Sequence, residues 1–172
     1  MSADLRRRSI VEMISNQQGP TSASHLAKHF DVSRQIIVGD VALLRAQGYG
    51  IIATARGYIL PKPSEMSQYI GKVVCQHSSD ETKDELYIIV DLKAKVLNVI
   101  VEHDIYGEIR GGLNLSSRKD VDDFIKKVEN SEIKLLLELT QGVHIHTVGC
   151  HDKEHFQQVL KGLKKSGYLY KN

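Results

Sequence analysis

The sequence predicts an α+β protein of two domains, a small helical domain closed by a β-hairpin and a two-layer α/β domain with an antiparallel or mixed sheet. Three observations carry this. Apolar residues recur at helical spacing in three successive stretches of the first 50 residues, and a short hairpin pattern follows them. Two of the three prolines fall within LPKPSEMS, where the pattern changes. Beyond that point, β-branched strand-like runs alternate with helical runs.

The first expected helix spans roughly Asp4 to Ser15, with Leu5, Ile10, Met13 and Ile14 inward, and ends in the turn-rich NQQGP. In the second, Ala23, Leu26, Ala27 and Phe30 repeat at i, i+3, i+4, i+7 behind Thr21 and Ser22, either of which can cap the start. Asp31 sits in a short link to the third helix, VSRQIIVGDVALLRAQ, where Val32, Ile37, Val41 and Leu44 turn toward one core and Ser33 is the expected N-cap. GYGIIATARGYIL then places two apolar runs around Thr54, Ala55, Arg56 and Gly57, as a hairpin requires. Three helices followed by such a hairpin make a winged helix-turn-helix.

The third helix points to double-stranded DNA. Ser33, Arg34 and Gln35 open it on its outer side and carry groups that bond phosphates or base edges, and a recognition helix presents its N-terminal end to bases in this way. Arg56 at the hairpin tip is placed to reach backbone or minor groove. An Arg at a helix start is often merely solvated; here the helix pair, cap, basic first turn and basic tip coincide. Residues 1–60 carry seven Lys or Arg against four Asp or Glu, and the remainder 16 against 17, so the positive excess lies on the part that would meet phosphates.

The expected boundaries are 1–60 for the winged helix, 61–66 for a stiff linker containing Pro61 and Pro63, and 67–172 for a second domain with its own core. Apolar content of 41% and charged content of 26% are those of an ordinary soluble protein. No apolar run approaches a membrane span, and MSADLRRR lacks a signal-peptide core, so a cytoplasmic location is expected. Cys75 and Cys150 are too few for a disulfide framework and read as reduced core thiols.

In the second domain, Tyr69 to His77, Val96 to Glu102 and Gly142 to Cys150 read as strands. Asp80 to Lys95 is read as a helix on Leu86, Ile89 and Val90 and on its acidic opening DETKDE. Val121, Phe124, Ile125 and Val128 form a helix face behind the capping candidate Ser117, and Phe156, Val159, Leu160 and Leu163 form another.

Six of the eight histidines lie in this domain. His144 and His146, two apart on a strand, point to one side and can bite one ion together. Imidazole suits zinc, nickel, iron and copper, and His77 at a strand end with Glu85 in the next helix are the natural further donors. On spacing alone, a surface or hydrogen-bonded histidine pair is the commoner reading. HDKEH at 151–155 matches a zinc-protease pattern that needs another ligand well downstream, and only 17 residues follow, so solvated histidines at a helix start explain it better. His103, Tyr106 and Arg110, in EHDIYGEIRGG, are candidates for gripping a small planar anion; an ordinary hairpin turn is the alternative.

Together, VSRQIIVGDVALLRAQGYGI and ARGYIL in the first half, and His77, Glu85, EHDIYGEI and LTQGVHIHTVG in the second, resemble a biotin-repressor-like winged helix joined to a 3H domain. This combination is similar to the niacin-responsive transcriptional repressors of NAD biosynthesis and nicotinate uptake genes. The resemblance implies a homodimer on operator DNA, nicotinic acid as corepressor, and a divalent transition metal (nickel, zinc or iron) held by His77, Glu85, His144 and His146. No enzymatic activity is expected. Two other readings stay open: a regulator for which the ion itself is the signal, and a metal-dependent enzyme with a DNA-binding appendage, using Glu85 or His103 as general base.

Overall fold

The computed structural model describes residues 1–62 and 68–171 and divides the chain into two compact units, Met1–Glu65 and Met66–Asn172. Most of the expected linker, from Pro63 to Met66, lies outside the described residues.

In the first unit, α1 (Ala3–Asn16), α2 (Ala23–Phe30) and α3 (Arg34–Ala46) precede a hairpin of β1 (Ile52–Thr54) and β2 (Gly57–Ile59). Each helix begins on a serine side chain: Ser2, Ser22 and Ser33 accept the backbone N–H of Leu5, His25 and Ile36. Ser22 is thus the α2 cap, while Thr21 pairs through its backbone with Tyr58 and ties the hairpin to the start of α2. A Cβ on Gly57 would stand 2.5 Å from the Thr21 carbonyl oxygen, so only glycine permits this approach. Asp31 takes a left-handed conformation at φ 52° and turns the chain from α2 into α3.

Ile10, Ile14, Leu26, Ile37, Val41, Leu44 and Ile51 form the core of this unit. Leu5, expected inward, is 56% exposed, and Ile10 and Ile14 carry the buried face of α1. A buried charge also links the helices. Arg6 Nε lies 2.7 Å and an Arg7 guanidinium nitrogen 3.2 Å from the two carboxylate oxygens of Asp40, a buried residue of α3.

The second unit is a four-stranded sheet in the order β3 (Tyr69–Gln76), β6 (Val143–Cys150), β4 (Lys95–His103), β5 (Gly107–Leu115). Every pairing is antiparallel, which decides between the two sheet types expected. Val73 pairs with His146 and Cys75 with His144, so these four side chains share one face. On that face lie α4 (Thr82–Asp91) and α6 (Lys153–Lys165), with α5 (Arg118–Glu129) against α4. Leu86, Ile89, Val121, Val159 and Leu163 fill the space between the layers with Val96, Val148 and Leu115. Ser117 caps α5 as expected.

The helix read over 80–95 is shorter. A 3-10 turn at Ser79–Glu81 leads into α4, which stops at Asp91; Lys93 adopts φ 66°, and Lys95 already pairs with Gly149 in the sheet. Pairing of β4 with β6 thus claims residues that helical periodicity alone left to the helix. A second 3-10 segment, Leu136–Thr140, leads into β6.

Candidate metal centre and DNA-reading face

Strand register brings the histidines together. His144 and His146 point from β6 toward α4, and His77 follows the last residue of the neighbouring β3. Glu85, in the first turn of α4, is completely buried beneath them. Its carboxylate receives all three rings: His77 Nε2 is 2.8 Å from one oxygen, His146 Nε2 3.3 Å from the same oxygen, and His144 Nε2 3.2 Å from the other.

The opposite edge of each ring is fixed by backbone. His77 Nδ1 donates to the Ser78 carbonyl at 2.8 Å, His144 Nδ1 to that of Gly142 at 2.8 Å, and His146 Nδ1 to that of Asn98 at 2.9 Å. Carbonyl oxygens only accept, so each Nδ1 carries the proton, and Nε2 of a neutral ring turns a lone pair toward Glu85. The Asn98 carbonyl stands at the β4 register shift between Val96 and Asn98, where a bulge locally re-aims the backbone. Gly142 is equally specific: at φ 88° it accepts the His77 N–H, and a Cβ there would lie 2.3 Å from the His77 carbonyl oxygen.

A lone pair facing a carboxylate oxygen is repulsive unless a positive charge stands between them. Burial alone would raise the Glu85 pKa, yet the His146 charge, the bonds from His144 and His146 and the close approach of His77 hold it well below the usual carboxylate range. Burial alone would lower the His77 and His146 pKa values, but Glu85 drives both upward. Three imidazolium ions around one carboxylate would leave excess buried positive charge. A divalent cation satisfies the same lone pairs with one positive charge fewer. His77 Nε2 also has no directed hydrogen bond, because its approach to Glu85 is close in distance but poor in angle. Three imidazole nitrogens and a carboxylate are a donor set suited to a first-row transition ion.

Sequence pattern alone makes Cys75 a core thiol. It is reduced and fully buried, and its Sγ, a Glu85 oxygen and a His144 nitrogen all lie within 4.8 Å of one another. Burial, the Glu85 charge and a hydrogen bond to Glu85 push its thiol pKa up. The signal was present in the sequence: Cys75-Gln76-His77 has the same spacing as His144-Ile145-His146, and pairing sets Cys75 directly opposite His144.

The remaining sequence candidates separate. His103 Nδ1 accepts the backbone N–H groups of Ile105 and Tyr106 and closes the β4–β5 turn, with the Tyr106 ring 5.2 Å away. Arg110 pairs with Glu108 at 3.0 Å, and strand alternation puts it on the face opposite His103. His155 commits both ring nitrogens to backbone, Nδ1 to the His151 N–H and Nε2 to the Leu92 carbonyl, so it is not simply a solvated ring.

On α3, Ser33, Arg34 and Gln35 are exposed as expected. Helical spacing adds a strip that the sequence reading missed. Gln35, Ile36, Gly39, Ala42, Leu43 and Ala46 are exposed on one side, with Ile36 at 43% and Leu43 at 52%. A Cβ built on Gly39 would meet nothing within 4 Å, so the fold gives this mid-helix glycine no packing role. Arg56 occupies the hairpin turn but is half-buried rather than extended from the tip. Among the described residues, no helix is long and apolar enough to cross a membrane.

Comparison with known proteins follows the same division. An HTH domain model matches residues 6–59, and a 3H domain model matches residues 70–172. The chain is 40% identical over 164 residues to "Probable transcription repressor NiaR" of Thermotoga maritima, covering 95% of this chain and 93% of that protein. It is 34% identical over 169 residues to "Transcription repressor NadR" of Bacillus subtilis, covering 97% and 94%. The chain belongs to the family, built of an HTH and a 3H domain, that includes these two transcription repressors.

Proposed function

We propose that the protein is a transcription repressor of NAD-biosynthesis or nicotinate-uptake genes, with nicotinic acid as corepressor sensed by a metal-containing 3H domain. The observation that carries this reading is the convergence of three backbone-oriented imidazoles on one buried carboxylate, in a chain that also exposes a serine-capped recognition helix. The relatives named as transcription repressors support the regulatory half of it.

In this reading α3 enters the major groove. Arg34 and Gln35 bond phosphates or base edges, Ile36 and Leu43 offer apolar contact to thymine methyls, and Gly39 lets the helix backbone approach closely. A homodimer presents two such helices to half-sites about one helical turn, or a multiple of it, apart. His77, Glu85, His144 and His146 hold a divalent ion such as nickel, zinc or iron. When bound, the ion supplies positive charge and Lewis acidity to which a pyridine carboxylate can be drawn. The backbone carbonyls of Ser78, Gly142 and Asn98 keep the three rings in the tautomer that leaves Nε2 free for it.

Fluorescence anisotropy on DNA from upstream of a nicotinate-uptake gene, titrated with nicotinic acid or with nicotinamide, tests the proposal. Nicotinic acid alone should tighten binding. A protein whose DNA affinity ignores both pyridines but follows the ion would instead be a metal-responsive regulator.

A further inference from the structure

Among the described residues of the second unit, a donor group whose atoms all lie within reach of one another contains sulfur. Cys75 Sγ, a Glu85 oxygen and a His144 nitrogen lie mutually within 4.8 Å, whereas His77 and His146 reach the cluster through their individual contacts with Glu85. In an antiparallel pair, directly opposed Cβ atoms stand about 4.5–5.5 Å apart, which suits two neighbouring side chains biting one ion. Cys75 and His144 are such a pair. Val73, the preceding residue on this face of β3, is purely apolar, whereas Cys75 puts a hydrogen-bonding sulfur beside Glu85. A polarisable donor beside a buried carboxylate and an imidazole has a use that valine lacks. His77, two residues on and itself more than nine-tenths buried, leaves Nε2 without a directed hydrogen bond on the same side.

We propose that Cys75 is a ligand of the metal centre, so that this chain binds its ion through nitrogen, oxygen and sulfur rather than through three histidines and a glutamate alone. The inference rests on the metal-binding reading above. Sulfur ligation shifts selectivity toward zinc, nickel, cobalt or copper(I) and away from magnesium or manganese. The C-terminal segment pairs through its backbone with β3 at Cys75 and Leu169, and Cys75 has no solvent exposure.

Cobalt(II) is the probe. Full-length protein and the Cys75→Ser variant are loaded with cobalt, bound metal is counted by mass spectrometry, and near-ultraviolet absorption is recorded. The wild-type chain should bind cobalt with a sulfur-to-cobalt charge-transfer band. Cys75→Ser should bind it more weakly, by roughly tenfold or more, with the band gone. X-ray absorption of the zinc-loaded wild-type protein should show a sulfur scatterer at about 2.3 Å, a readout that does not depend on the variant folding. Bound metal without the band or the sulfur shell overturns the role of Cys75 and leaves the metal site standing. Failure of the wild-type chain to bind either metal overturns the metal site and the role of Cys75 with it.

Discussion

The backbone of Gly142 lies against that of His77 so closely that a Cβ would stand 2.3 Å from the His77 carbonyl oxygen. The same glycine accepts the His77 N–H and orients His144 through its carbonyl. One residue therefore sets two imidazoles. Gly142→Ala should force the strands apart and strain a backbone at φ 88°, at a cost of roughly 1–3 kcal/mol. Urea unfolding should show that loss, and metal content should fall below that of the wild-type protein. Full metal occupancy in the variant would mean that the His77–Gly142 contact does not build the site.

Asp40 should matter to the winged helix alone. Replacing it with Ala leaves Arg6 and Arg7 without the buried carboxylate that joins α1 to α3, a loss of roughly 3 kcal/mol. Thermal melts and metal titration of the same sample separate the effects. Stability of the first unit and DNA affinity are expected to drop while metal stoichiometry stays unchanged.

Gly39 offers a prediction in two directions. Because an added Cβ meets nothing, Gly39→Ala should stabilise the helix by roughly 0.5–1 kcal/mol. In the proposed complex the same methyl would stand between α3 and the groove floor, and it should cost operator binding about 1–3 kcal/mol. A variant that melts higher and still binds DNA as tightly would show that the glycine does not serve close approach.

The metal-free and metal-loaded proteins should respond to pH with opposite slopes. His77 and His146 have raised pKa values in the fold, so their contribution is complete below the ordinary histidine range and is lost as pH rises through the shifted values. Glu85 is depressed, so its contribution persists above the ordinary carboxylate range and is lost only at markedly acidic pH. The chelated protein should therefore lose thermal stability as pH is raised from about 6 to about 8. Metal binding requires neutral imidazole, so the increment that the ion adds to the melting temperature should grow over the same interval.

Much of this was legible in the sequence because it depended on local chemistry. The caps Ser33 and Ser117, the hairpin around Arg56 and the shared face of His144 and His146 follow from residue type and a fixed period. What escaped depended on register and on neighbours far along the chain. A cysteine in an apolar strand looks the same whether it packs alone or stands among other donors, and only the register that sets it opposite His144 places it in the cluster. The end of α4 was set by pairing of Lys95 with Gly149, which helical periodicity does not encode. Ile36 and Leu43 are apolar, which argues for burial, yet they lie outside the face that Ile37, Val41 and Leu44 turn to the core. Arg110 and His103 were grouped by closeness in sequence, although strand alternation sends them to opposite faces.

The most direct test is the ratio of operator dissociation constants without and with nicotinic acid, measured for the metal-loaded protein, the chelated protein and His144→Ala. The proposed function has His144 join the metal centre to the effector response, so a ratio well above one in the loaded protein that falls to one in the other two is the expected result. A ratio that survives both chelation and loss of His144 would contradict that link and remove the three-histidine centre from effector sensing.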